Sequence, residues 1–232
     1  MIGAIAPHGD VEETPELLEA MQELGRRVTP EIAIVITPHN VHVEGYFAVV
    51  TAARIGEHEC DRELARAVIE HARADRLPIL GVSYGGNDAT QAEHPLDWGT
   101  EVPLRFVRAK RVVVVAPARD RPLAEHIALG KAITRAVQGH DAALIASADH
   151  GHAHDADGPY GFHPAAAEYD AQFLELLEAD PLDFRPLVKL VDDAKADSLW
   201  QLLVLQGAVP GKAELLAYAA PTYYGMAAAV VS

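Results

Sequence analysis

A single cysteine, Cys60, occurs in the 232 residues, so the chain can form neither an internal disulfide nor a thiolate zinc clip. Any metal it binds must be held by histidine and carboxylate. Basic residues are also scarce: 19 Lys and Arg stand against 34 Asp and Glu, a formal charge of −15, and the cations are scattered. A phosphate backbone would be repelled, which argues against nucleic acid as a partner. No apolar run approaches the roughly 18 residues of a membrane span, and residues 1–10 lack the basic and apolar regions of a secretion signal. A cytoplasmic protein with no membrane partner is therefore expected. Fixed-period repeats, low-complexity tracts and flexible linkers are missing too, so a single domain over 1–232 is expected.

What is present is core-forming material in an alternating order. Half of the residues are apolar, enough for a large buried core. The continuous apolar runs at 2–6, 32–36, 112–115 and 142–146 read as strands covered on both faces. Between them, helices are expected at 61–72, 123–137, 165–177 and 198–205, with another opening at Thr14-Pro15-Glu16 and ending at Gly25. A further strand is expected at 80–83, and the segments 215–219 and 226–231 read as strands returning to the sheet. The alternation implies an α/β fold of three layers, α/β/α, around a mostly parallel or mixed sheet.

The positions of the twelve histidines carry the functional signal. In open α/β sheets, ligands gather beyond the carboxyl ends of the strands. His8 follows the first strand, His39 follows the next within Thr37-Pro38-His39, and His150, His152 and His154 crowd the loop after the strand at 142–146. A lone loop histidine is ordinarily solvated. Three groups at strand ends instead read as a set able to meet around a divalent metal, with two His and one carboxylate leaving positions free for substrate. His58, His71, His126 and His140 are read as solvated surface residues.

These segments resemble the catalytic subunit of the class III extradiol ring-cleaving dioxygenases, a superfamily that includes the plant DOPA dioxygenases and the Memo-like proteins. The likeness runs over almost the whole chain: Ala6-Pro7-His8, Pro38-His39, the run from Leu96 to Leu104 through Asp97-Trp98-Gly99, Asp149-His150-Gly151-His152, Gly158-Pro159-Tyr160-Gly161-Phe162, and Tyr169 to Leu174. The resemblance implies Fe(II) held by His8 and His39, with zinc or copper as alternatives. It also implies a small aromatic diol and O2 as substrates, and His152 as acid/base residue. Self-association into a homo-oligomer is left open.

Two departures from the family pattern bear on the site. The histidine of the family's Asp-His-Gly segment is Trp98 here, which removes a hydrogen-bonding group; His94 is the residue placed to reach the same space, with Trp98, His94 and His150 expected around the substrate. The third ligand maps to Ser198, beside Asp197. Asp197 is the expected ligand, Asp193 the second choice, and capping of the helix at 198 is the competing role for Asp197. A Memo-like metal-binding or redox module, or a zinc hydrolase using the same cleft, are the alternatives to dioxygenase activity.

Overall fold

The computed structural model describes residues 1–85, 88 and 90–232. Its centre is formed by four strands that pair in parallel, in the order β1 (Ile2–Ala6), β9 (Ala142–Ser147), β2 (Ile32–Ile36) and β8 (Arg111–Ala116). Each is an apolar, largely β-branched or alanine run, and almost every residue in them is buried. That is the pattern of strands with both faces covered.

The sheet widens on both sides. On one, β11 (Met226–Val231) lies antiparallel to β1 and carries β10 (Ala213–Ala219) at the edge. On the other, β8 forks. Its first residues pair with β5 (His58–Cys60), which continues to β4 (Arg54–Ile55) and β7 (Glu93–His94). Its last residues pair with β3 (Phe47–Val50), which carries β6 (Ile79–Val82). The sheet is therefore mixed, with a parallel heart.

Helices cover both faces and divide the core in two. α1 (Pro15–Arg27) and α3 (Trp98–Phe106) bury Leu17, Met21, Leu24, Val102 and Leu104 against Ala33, Val35, Val112 and Val114. α2 (Arg62–Ala74), α4 (Leu123–Ala136), α5 (Ala165–Leu177) and α7 (Leu199–Ala208) cover the opposite face, where Val68, Ile133, Phe173 and Leu202 meet Ile34, Ile36, Val113 and Val115. Odd and even residues of one strand thus serve different cores, the period-two consequence of the pleat. A short helix, α6 (Val191–Ala194), precedes α7. No helix among the described residues is long and apolar enough to cross a membrane.

The three-layer architecture is as expected, with two local corrections. Gly25 does not end α1, which continues to Arg27; a Cβ there would lie 2.3 Å from the carbonyl oxygen of Phe106, so the glycine permits the close approach of the chain at the end of α3. His126 is not at the surface. It is fully buried in α4 against the Phe47 ring, with its Nδ1 donating to the Pro122 carbonyl at 3.2 Å. Its burial holds the pKa down to about 4.

Candidate metal centre

Because β1, β9 and β2 are parallel neighbours, the chain leaves all three at one rim of the sheet. His8 follows β1, His39 is the third residue after β2, and Asp149 to His152 follow β9. Asp197 arrives from the other direction, just before α7. The Nε2 atoms of His8 and His39 are 3.0 Å apart, and the Asp197 Oδ2 lies 3.3 Å from the first and 3.5 Å from the second. Donor atoms bound about 2.1 Å from one ion lie about 3.0 Å apart at octahedral angles and about 3.4 Å apart at tetrahedral ones. The spacing of the three atoms thus fits three donors to a first-row divalent metal. His8 and Asp197 are buried, while His39 is partly open to the cleft.

The surroundings fix the orientation of the donors. The Ser147 hydroxyl donates to the Gly99 carbonyl, so toward His8 Nδ1, 3.0 Å away, it can only accept. When neutral, His8 therefore keeps its proton on Nδ1 and turns the Nε2 lone pair to the centre, the outer-shell device by which metal-binding imidazoles are oriented. The His39 loop is held by Asp97, whose two oxygens accept from Thr37 Oγ1 (2.6 Å), Asn40 Nδ2 (2.8 Å), Thr100 N (3.0 Å) and Thr100 Oγ1 (2.9 Å). Thr37 Oγ1 in turn accepts the His39 N–H at 3.2 Å. Gly99 lets this clamp close: a Cβ there would sit 2.4 Å from Thr37 Oγ1 and 3.3 Å from the His39 ring.

Asp197 is tied to the strand β9 side. Its Oδ1 accepts the Asp149 N–H at 3.2 Å, and Asp149 Oδ1 accepts the His8 N–H at 3.1 Å. The N-cap residue of α7, Ser198, makes no side-chain cap bond, and the Asp197 carboxylate is turned to the two imidazoles. Ser198 points elsewhere, into a buried chain running from the Tyr169 hydroxyl (2.9 Å) to His150 Nδ1 (3.1 Å).

Charge in this pocket is strongly coupled. Burial opposes protonation of His8, yet the Asp149 and Asp197 carboxylates outweigh it and push its pKa up to about 9. Burial likewise works against an ionised Asp197, but His8 and His39 hold it well below the usual carboxylate range. Asp149 goes the other way, raised by burial and by the neighbouring Asp197, with His8 pulling against both.

The triangle opens into a cleft of about 420 Å³ whose walls include Trp98, His152, Tyr160, Tyr223 and Tyr224. His152 Nδ1 lies 2.7 Å from the His150 carbonyl, which can only accept, so the ring keeps an unprotonated Nε2 when neutral. Its ring stacks on Tyr224, with centroids 5.6 Å apart. Trp98 lies 4.2 Å from the His39 ring and is 57% exposed, a flat surface on the cleft side.

The remaining sequence candidates fall outside the cleft. His94 has its Nε2 3.0 Å from Asn40 Oδ1 and lines a neighbouring cavity with Tyr84 and Pro95, into which His39 also faces. His150 is turned into the core, stacked 3.8 Å from Phe173, and its burial lowers its pKa to about 4. His154 binds the buried Asp170 at 2.8 Å, and Asp193 is not among the grouped donors. Sequence reasoning gave no role to Asp149, Ser147 or the tyrosine pair Tyr223 and Tyr224. Two adjacent tyrosines in a chain with 6% aromatic residues were the available signal.

A mixed α/β sheet with two imidazoles and one carboxylate converging at its strand ends defines a candidate mononuclear metal protein. The family model of the catalytic LigB subunit of aromatic ring-opening dioxygenase matches residues 6–231, and the chain belongs to that family. It is 27% identical over 190 residues to Protein CA_C1420 of Clostridium acetobutylicum, an alignment covering 72% of this chain and 40% of the relative; the chain thus matches less than half the length of that protein. The crystal structure of the uncharacterized protein JW3007 from Escherichia coli K12 has the same fold, with a TM-score of 0.69 at 17% identity over the full length of both chains.

Proposed function

We propose that this protein is an extradiol dioxygenase that cleaves a catechol-type ring with O2 at an Fe(II) ion held by His8, His39 and Asp197. The observation that carries the reading is the 3.0–3.5 Å triangle of donor atoms open on one side to an aromatic-walled cleft. Two imidazoles and one carboxylate suit non-haem Fe(II) and leave positions free for a diol and oxygen. When bound, the metal supplies a Lewis acid that lowers the pKa of the diol and a redox centre for O2.

The protein's own part is positional and protonic. Trp98 and Tyr224 give a flat ring surfaces to lie against. His152 stands at the same cleft with Nδ1 committed to the His150 carbonyl, which leaves Nε2 to take a hydroxyl proton and return it to the opened product. With tryptophan in place of the family's second histidine, His152 carries the proton transfer without that partner.

Trp98 is also the observation that favours a second reading. A cleft with fewer acid/base groups suits a Memo-like metal or redox module, or a zinc hydrolase. Metal analysis of protein purified without oxygen, with an oxygen electrode and a panel of catechols, separates them. Bound iron and diol-dependent oxygen uptake support the dioxygenase. Tight zinc or copper with no uptake for any catechol overturns it.

A further inference from the structure

Three tyrosines line the metal cleft, Tyr160, Tyr223 and Tyr224, and they are held very differently. Tyr160 is 56% exposed, whereas Tyr224 is 7% exposed. The segment that carries Tyr224, between β10 and β11, is stapled to the His152 loop. Gly225 N–H donates to the Gly151 carbonyl at 2.9 Å, His150 N–H to the Gly225 carbonyl at 2.7 Å, and His154 N–H to the Tyr223 carbonyl at 3.1 Å. The Tyr224 ring is pressed against the loop after His8. A Cβ at Gly9 would lie 2.2 Å from Tyr224 Cε2 and 2.6 Å from its Oη, so glycine at this position is what admits the phenol. Two of the loops that build the site thus fix the Tyr224 hydroxyl between them.

The hydrogen bonding of that oxygen is half used. It accepts the Asp10 N–H at 3.0 Å, and among the described residues no acceptor takes its own proton. The His152 ring is its stacked neighbour, at an interplanar angle of 21°, and no hydrogen bond joins the two. Burial pushes the Tyr224 pKa above the usual phenol range, so the hydroxyl keeps its proton at neutral pH. His152 Nε2, on a neutral ring, is an acceptor. The cleft wall therefore presents an acceptor and a donor on two neighbouring rings.

We propose that Tyr224 is a second substrate-contacting residue, whose O–H donates to the diol oxygen that gives its proton to His152. The proposal rests on the dioxygenase reading for the presence of a diol in this cleft. When His152 Nε2 takes the hydroxyl proton, the oxygen left behind is an anion, and a hydrogen bond to an anion is stronger than one to a neutral hydroxyl. Tyr224 therefore favours the ionised diol, while the proton itself rests on His152. Arg105, which also lines the cleft, is committed to Glu12 and Glu101, so no free guanidinium competes for that oxygen.

The test uses zinc-loaded protein and 4-nitrocatechol, whose colour changes when a hydroxyl ionises, so that binding and ionisation are read without turnover. Tyr224→Phe keeps the ring against His152 and removes only the oxygen. It should bind the probe about tenfold more weakly at neutral pH, the low end for a hydrogen bond to a charged group. The bound probe should also ionise about one pH unit higher than in the unaltered protein, with zinc affinity unchanged. 3-Fluorotyrosine incorporated at position 224, a stronger donor of nearly the same shape, should act in the opposite sense, tightening binding and lowering the pH of ionisation. Packing of the ring alone does not produce that reversal, and should Tyr224→Phe not fold, the fluorinated protein carries the comparison. Unaltered probe affinity and ionisation in Tyr224→Phe, or a shift in the same direction for both replacements, overturns the role of Tyr224 and leaves the diol reading standing. Loss of zinc from Tyr224→Phe places the effect in the His8 loop and overturns it as well. Failure of the unaltered zinc protein to bind 4-nitrocatechol overturns the diol reading and the proposal together.

Discussion

Metal binding at this site must displace a proton from His8, and the pH dependence that follows is a direct measure of the pocket's electrostatics. Asp149 and Asp197 overcome burial and hold the His8 pKa at about 9 in the metal-free protein, whereas only the neutral imidazole can be a ligand. At pH 7, two units below that value, about one site in a hundred has Nε2 free. Apparent affinity should therefore be about a hundredfold weaker at pH 7 than above pH 9, about 2.7 kcal/mol at 1.36 kcal/mol per unit. Zinc avoids redox complications, and competition against a chromophoric chelator from pH 6 to 9.5 gives the slope: close to tenfold per unit below 9, levelling above. Calorimetry in two buffers of different ionisation enthalpy should find about one proton released per metal at pH 7. Asp149→Asn removes the foremost group raising the His8 pKa and should move the bend to lower pH. An affinity that is flat between pH 7 and 9, with no proton released, refutes the reasoning, because His8 would then be neutral before the metal arrives.

Other expectations follow from the same geometry. Asp197→Asn should weaken metal affinity at least tenfold, the loss typical even of outer-shell partners; unchanged metal content would return Asp197 to a structural role. His152→Ala should keep its metal and lose about 10²- to 10⁴-fold in turnover, while His154→Ala, which strips a partner from buried Asp170, should show up in thermal stability before it shows up in rate. Asp97→Ala leaves Thr37 and Asn40 without their shared acceptor and should lower both stability, by about 1–3 kcal/mol, and metal affinity. For His126 the folded pKa of about 4 lies below the unfolded value of 6.5, so the folded state binds fewer protons in that window. Its stabilisation is whole above pH 6.5 and falls by about 3 kcal/mol as pH drops through 4. Urea midpoints of the wild type and His126→Leu should therefore converge on acidification, and a difference independent of pH would show that His126 titrates alike in the folded and unfolded states.

The sheet's heart was legible because each central strand is a continuous buried run, and its helices because their apolar residues recur on one face. The short strands β3, β4, β5 and β7 were not, since two to four residues carry too little periodicity to separate from a loop. Gly25 misled for another reason. A glycine near a helix end has a local meaning as a stop, but here its meaning is tertiary, the Phe106 carbonyl lying where a side chain would be. Nothing within a few residues of Gly25 encodes that contact.

The site divides along the same line. His8 and His39 could be read because strand ends are predictable places and both follow proline at such an end. Asp197 could be approached only within one residue, because the choice between it and Ser198 depends on which side chain turns to the rim and which to the Tyr169 hydroxyl. His126 and His150 show why residue type alone was insufficient: both are buried without a carboxylate in contact, and burial lowers the pKa of each to about 4, so both are neutral at pH 7. His8 is as deeply buried, yet two carboxylates on its Nε2 side raise its pKa to about 9. A buried imidazole is thus inert packing or a candidate metal ligand according to whether distant segments bring acids to its free nitrogen. In this chain those acids arrive from residues 141 and 189 positions away along the sequence, Asp149 from the end of β9, the parallel neighbour of β1, and Asp197 from the segment before α7.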